Sequence, residues 1–375
     1  MKLLYIANAR MPTEKAHGLQ IAKMCEAFAG QGADVTLVLP KRSNPIREDI
    51  FSYYRVRNIF SVTYISVLNP SVKGGLLGFW IEALSFAFSL FHSSILRDNH
   101  YDVVFSRDLF SAWLLHFRHT KVIFEMHTFP ERFAWLWGIM LRSLAGVFST
   151  NKWKMDEMRR RFNIAQEKLF FYPNGFDPKL FEIRESKEDL RRMFGLPQGK
   201  SVVIYTGHLY GWKGAHILAQ AAREVPEITI VFVGGIEKDI LRFRKEFGDT
   251  KNIFIAGHKP YYEIPRFLKA ADILVLPNSA VSEESRTGTS PIKLFEYMAS
   301  GKPIIASDLP SIREIVLEKE VLFVPPDDPE RLAQAIRDLI HDPERAHRLA
   351  KASHEKSKQY TWPARARVIL ENIGV

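Results

Sequence analysis

Cysteine is nearly absent from this chain: Cys25 stands alone among 375 residues. A disulfide framework and a cysteine-held metal are both excluded, and a lone thiol fits a reducing compartment. No G-x-G-x-x-G occurs, so the dinucleotide fingerprint is missing and a nicotinamide oxidoreductase has no motif to rest on. No D-x-D occurs either, and no dense basic run with interleaved aromatics, which ranks nucleic acid last among partners. Met1 to Ala7 opens directly on a strand pattern, with no room for a signal peptide. The longest apolar stretch, Gly74 to Ile95 between Lys73 and Arg97, carries Glu82 at its middle and glycines at its start. That composition argues against a membrane span and for a helix buried in a domain, with an interfacial helix as the second reading.

What is present is globular: 46% apolar and 25% charged residues are enough to build cores. The length exceeds one ordinary core, so two domains are expected. A net charge of +10 favours anionic partners such as nucleotide phosphates or an acidic membrane surface.

Residues 2–7 read as a buried parallel strand, 19–31 as a helix entered through His17 and Gly18, and 33–39 as a second strand. Strands follow near 60–67, 102–105, 121–125 and 146–149. Arg107 and His127 lie just past strand ends, where doubly wound sheets bind ligands. Residues 131–143 form a second very apolar helix. The turn cluster Pro173, Asn174, Gly175, Phe176, Asp177, Pro178 closes this half. A second βα series then runs from 201 to 324. Two such arrays predict an α/β chain of two doubly wound, Rossmann-like domains facing a central cleft.

Two helix beginnings in the second half carry lysine. Gly207 to Gly214 follows a strand and enters a helix, bringing His208 and Lys213 to its N-terminus, a natural anion site. The nearby Gly195 to Ser201 resembles a P-loop but is one residue short and precedes its strand, so it is rejected. Further on, Ser290 to Gly301 has a clear start and stop: Ser290 as N-cap, Pro291 at the first helical position and Gly301 as terminator. Leu294, Phe295 and Met298 form its apolar stripe, and Glu296 points about 130° away from it. Lys293 in the first turn opposes the helix dipole unless an anion lies nearby. On this stretch alone, an anion-facing lysine and an ordinary Lys293–Glu296 surface pair are equally open.

Taken together, these segments resemble the retaining glycosyltransferases of the GT-B fold, in the large family-four group. The resemblance is carried by His17-Gly18, Glu125-Met126-His127, Pro173 to Asp177, Tyr205 to Leu209, Trp212-Lys213-Gly214 and Ser290 to Ser307, the last two being the specific ones. It implies an N-terminal acceptor-binding domain over 1–178, a nucleotide-sugar domain over 179–358 and a final helix over 359–375 crossing back to the first. It further implies that Glu296 binds the nucleotide ribose and that Lys213 with His208 neutralises the diphosphate. Thr289, Ser290, Ile292 and Lys293 would cradle the phosphates at the helix start. His127 would line the sugar and acceptor pocket, and Gly18 would let its loop close on the donor. His127, Lys213 and His208 are thus the expected catalytic groups. The co-substrate would be a nucleoside-diphosphate sugar, with no metal, and the acceptor a sugar, glycan or lipid-linked molecule. The expected location is cytoplasmic, where the positive charge and apolar segments make peripheral contact with the inner face of an anionic membrane one reading and a soluble enzyme acting on a small sugar acceptor the other.

Two positions depart from the family pattern. A glutamate is expected eight residues before Glu296, where Gly288 stands, and Glu283 and Glu284 are the upstream candidates to replace it. The usual phosphate arginine is His208, a weaker and pH-sensitive donor. The missing carboxylate keeps a second reading open, a non-catalytic sugar-nucleotide-binding protein of the same fold.

Overall fold

The structure is a computed structural model that describes residues 1–68, 75–119, 121–130 and 133–374. Lys73 and Gly74 at the head of the first apolar stretch, and Glu131 and Arg132 at the head of the second, lie outside the described residues.

The chain forms two units, Met1–Pro173 with Trp362–Val375, and Asn174–Thr361. The first holds strands β1 (Lys2–Ile6), β2 (Asp34–Lys41), β3 (Ser61–Ser66), β4 (Val103–Ser106), β5 (Val122–Met126), β6 (Gly146–Ser149) and β7 (Leu169–Phe171). They lie in the order β3-β2-β1-β4-β5-β6-β7, and every pairing is parallel. The second holds β8 (Val202–Thr206), β9 (Thr229–Val233), β10 (Ile253–Gly257), β11 (Ile273–Leu276), β12 (Ile304–Ser307) and β13 (Leu322–Val324), ordered β10-β9-β8-β11-β12-β13 and again parallel. The central strands are continuous apolar runs, and Leu3 to Ile6, Val202 to Tyr205 and Leu274 to Leu276 are fully buried. A strand covered on both faces by helices demands that composition.

In each sheet the strand order reverses direction once, between β1 and β4 and between β8 and β11. Loops leaving the C-terminal ends of those strands diverge there and open a crevice. The residues past β8 are Gly207 and His208; past β4 stand Arg107 and Asp108. The Trp362–Asn372 helix belongs to the first unit, where its Arg365 is fully buried.

Two local readings change. The helix predicted from Ser290 runs Ile292–Ala299, with Pro291 in the capping position and no side-chain cap. Ser290 instead holds Asn174, accepting its backbone N–H at the hydroxyl (3.3 Å) and its side-chain amide at the carbonyl (2.7 Å). A tertiary partner has taken the hydroxyl that a local cap would have used. The apolar stretch forms the helix Gly75–Phe91, whose one face is core (Ala83, Phe86, Ala87, Leu90), whereas Leu84 and Phe88 on the other are 50% and 63% exposed. Among the described residues no helix is long and apolar enough to cross a membrane.

Candidate functional site

In the second unit the loop after β8 and the start of the Ile292–Ala299 helix meet. Two tyrosines set their positions. Tyr297, on the helix, accepts at its hydroxyl from Thr206 N (2.8 Å), tying the helix to the end of β8. Tyr205 donates to the His208 carbonyl (2.6 Å), fixing the loop that follows. Its ring lies under Lys293, whose ammonium sits 4.0 Å from the ring centroid. The backbone makes this approach possible: Gly207 (φ +125°) has Lys293 Nζ 3.4 Å from where a side chain would begin. Gly214 (φ +74°) lies so close to the Pro277 carbonyl that any Cβ would overlap it at 1.6 Å.

Lys293 and Glu296 are only 8% and 6% exposed, so the reading of a solvated surface pair fails. The Lys293 ammonium has no hydrogen-bond partner in the described structure, nor has His208 Nδ1 or either side-chain polar atom of the fully buried Asn278. Asn278 packs its backbone against Gly214, on the same loop pair. Buried polar atoms are normally satisfied, so the unpartnered Lys293 ammonium and His208 Nδ1, which act on one another, mark a place where something polar binds.

The electrostatics agree. Burial and the neighbouring Lys213 hold the Lys293 amine well below its ordinary range. Burial brings Lys213 down to about 8, against the pull of Glu284. His208 is lowered by burial and by both lysines. Glu296 is pushed up to about 7 by burial, although the Tyr261 hydroxyl and Lys293 act the other way. Cations depressed and a carboxylate raised is the signature of charges desolvated without a counter-ion. An anion entering beside Lys213, Lys293 and His208 would restore all three.

The remaining predicted donor residues fall at the same helix start. Thr289 is buried, Ser290 and Ile292 are half-buried, and the helix N-terminus adds its own positive potential. At Gly288 the structure supplies a carboxylate from elsewhere. Residues Glu284–Gly288 form one π-helical turn, and Glu284 Oε2 lies 2.5 Å from where a Cβ at 288 would stand. Glu284, and not Glu283, therefore presents its acid at that position, facing Lys213.

In the first unit His127 follows β5. Its Nε2 is 2.9 Å from Glu125 Oε2, and the fully buried Glu125 also pairs with Arg365, with Arg107 Nε at 3.7 Å. Burial and Arg107 hold the imidazole down to about 4 in spite of Glu125, so it is neutral near pH 7. Lys154 donates to the His127 carbonyl at 2.6 Å and fixes the loop. Gly18 lies in the Ala16–Gly30 helix, where the space of a side chain is filled by the Tyr54 hydroxyl at 2.0 Å and Thr13 at 2.6 Å. Sequence reasoning missed Asn278, Tyr205 and Tyr261, because a lone polar or aromatic residue in a strand or loop carries no spacing signal. Arg365 was missed because a single arginine in a helix gives no sign of a buried carboxylate 240 residues away.

The comparisons with known proteins give this arrangement a class. The chain matches a sucrose-phosphate synthase from Thermosynechococcus elongatus with a TM-score of 0.79 at 19% identity, over 99% of this chain and 97% of that one. It matches HepE of Anabaena, solved with UDP and glucose, with a TM-score of 0.74 at 17% identity, over 99% of both chains. The two parallel sheets are those of the GT-B fold. Two family models, "Glycosyltransferase Family 4" over residues 18–180 and "Glycosyl transferases group 1" over residues 186–356, together take in most of the sequence, and the chain belongs to this glycosyltransferase family. A curated relative, spore coat protein SA of Bacillus subtilis, is 28% identical over 256 residues, which is 62% of this chain and 65% of that protein. The match thus spans less than two thirds of that relative's length.

Proposed function

We propose that the chain transfers a sugar from a nucleoside-diphosphate sugar to a glycan or lipid-linked acceptor, with retention of anomeric configuration. The observation that carries this reading is the buried, unpartnered Lys293 ammonium sharing its crevice with Lys213 and His208. A diphosphate is the ligand whose charge matches three such groups at a helix N-terminus. HepE, similar in fold, was solved with UDP and with glucose, which agrees with a donor of that class.

In this scheme Glu296 accepts from the ribose hydroxyls, and the amides of Ser290, Ile292 and Lys293, with Thr289, receive the phosphates. Glu284 takes the place of the carboxylate absent at 288 and reads the donor sugar. The C1–O bond to the diphosphate breaks while the acceptor hydroxyl approaches on the same face. The departing phosphate oxygen takes the acceptor's proton. Charge grows on the leaving diphosphate, so fixed cations there lower the barrier most. No metal is called for, since Lys213, Lys293, His208 and the helix end supply the positive charge. His127, neutral near pH 7, lines the sugar and acceptor pocket, while Gly18 leaves room for the Tyr54 hydroxyl at the start of its helix.

A membrane-borne acceptor is favoured by a specific surface. Leu84, Phe88, Phe117, Phe133, Trp135 and Ile139 are each 46% exposed or more, on neighbouring helices of the first unit and the loops beside them. Trp80 bridges two of these segments, its ring 6.1 Å from Phe133. Apolar residues grouped on a basic protein suit an anionic bilayer surface.

The experiment is a panel of uridine, guanosine and adenosine diphosphate sugars, scored for hydrolysis and for transfer to acceptor extracts. Glu296→Ala and Lys213→Ala should each weaken nucleoside-diphosphate binding by tenfold or more with the fold intact. His127→Ala should leave that affinity within about twofold and lower transfer. Binding without any turnover across the panel would favour the non-catalytic binder instead.

A further inference from the structure

The second unit has another cavity, of about 400 Å³, at the opposite end of the Ile292–Ala299 helix. Its lining includes the apolar Phe181, Ile183 and Pro265 together with Lys269, Lys302 and His354. The helix is about 12 Å long at 1.5 Å per residue, so this cavity is distinct from the crevice at Lys213.

Its charges are unbalanced. The backbone N–H of Lys302 donates to the Ser300 hydroxyl (3.4 Å), whereas its side-chain ammonium has no hydrogen-bond or ion-pair partner among the described residues, and the residue is partly buried. Lys269 spends one donor on the Ile183 carbonyl (2.6 Å) and keeps two, since an ammonium has three. Of the carboxylates nearby, Asp272 is already engaged by Lys187 (3.1 Å), Arg191 (2.6 Å) and the Val202 amide (2.8 Å), and Glu185, beside Lys269, by Arg266 (2.8 Å). Burial, then Lys187, bring the Lys302 amine down to about 8.

A helix C-terminus would ordinarily repel an anion, but here its carbonyls are covered. Ser300 N–H reaches Glu296 O and Tyr297 O, Gly301 N–H reaches Met298 O, and His354 Nδ1 is 3.0 Å from Ala299 O. The carbonyls therefore do not compete for Lys302.

We propose that this cavity binds a small phosphate monoester, its phosphate between Lys302 and Lys269 and its carbon skeleton against Phe181, Ile183 and Pro265. Two ammonium groups with spare donors match the charge of a monoester dianion, and the apolar wall excludes a bare, fully hydrated ion. The site is independent of the donor reading, because none of its residues belongs to that crevice.

The test is acylation of lysine amines at pH 8, read residue by residue by mass spectrometry on the whole chain, with phenyl phosphate as the probe. Because the readout is resolved to Lys302 and Lys269, phosphate held at Lys213 or Lys293 does not enter it. Millimolar phenyl phosphate should slow labelling of both amines at least fivefold, whereas potassium chloride at equal ionic strength should not. Lys302→Met should abolish the protection at Lys269 while leaving the circular dichroism spectrum unchanged. Unprotected amines, or equal protection by chloride, would overturn the site. Equal protection by inorganic phosphate would overturn the monoester assignment.

Discussion

At the scale of single residues, function in this protein is written in perturbed protonation. Lys213 titrates at about 8 and Glu296 at about 7 in the unliganded protein, each displaced by burial. A bound diphosphate favours the charged amine, so UDP binding near pH 8 should be accompanied by proton uptake, and its affinity should fall as pH rises through that value. Glu296 works in the opposite sense: below about 7 it is protonated and a poorer acceptor for ribose hydroxyls. Affinity should therefore peak between these two values. Calorimetry in buffers of different ionisation enthalpy measures both effects, and a flat pH profile with no buffer dependence would contradict the site.

At the scale of elements, what matters is how closely two loops approach. Gly214 is left-handed and has the Pro277 carbonyl where a side chain would start, so Gly214→Ala meets backbone that cannot yield. The left-handed conformation alone costs about 1–2 kcal/mol for a residue with a Cβ, and the clash adds to it. A fall in the unfolding midpoint together with loss of UDP binding is expected, and a wild-type denaturation curve would show that the loops are less tightly packed. Much of this was legible in the sequence, because glycines flanking a lysine at a strand-to-helix turn have a local meaning. The π-helical turn that brings Glu284 against Gly288 was not, since its geometry depends on the packing of Ser285, whose hydroxyl reaches the Trp212 carbonyl at 3.4 Å. A likeness in sequence could mark the carboxylate as missing and offer Glu283 and Glu284 in its place, but only the coordinates show that Glu284 lies beside Gly288.

At the scale of the molecule, one buried ion pair holds the end of the chain to its beginning. Arg365, from the last helix, pairs with Glu125 in β5 and donates through Nε to the Pro173 carbonyl at 3.0 Å. Both side chains are fully buried. Arg365→Ala leaves Glu125 with Arg107 and His127 as its remaining neighbours and should cost about 3–5 kcal/mol in urea unfolding, as removal of one partner from a buried pair does. A loss below 1 kcal/mol would mean that water or Arg107 replaces it. The exposed apolar face of the first unit yields a second prediction on this scale. Sedimentation with vesicles containing anionic lipid should exceed that with neutral vesicles. Leu84→Ser, Phe88→Ser and Trp135→Ser together should reduce it at least fivefold without changing UDP affinity. Equal sedimentation of the triple variant would remove this surface from the membrane.

The sequence by itself determined every strand but the short β7, the doubly wound class and the two lysine-bearing turns, because apolar runs, glycines and helix signals act over a few residues and need no distant partner. Tertiary structure decided whether Lys293 was a solvated cation or a buried one, which acid stands at Gly288, and that Ser290 serves Asn174 rather than its own helix. Each of those outcomes depends on which residue far along the chain fills the adjoining space, and burial, the quantity that shifts every protonation state here, exists only once that space is filled.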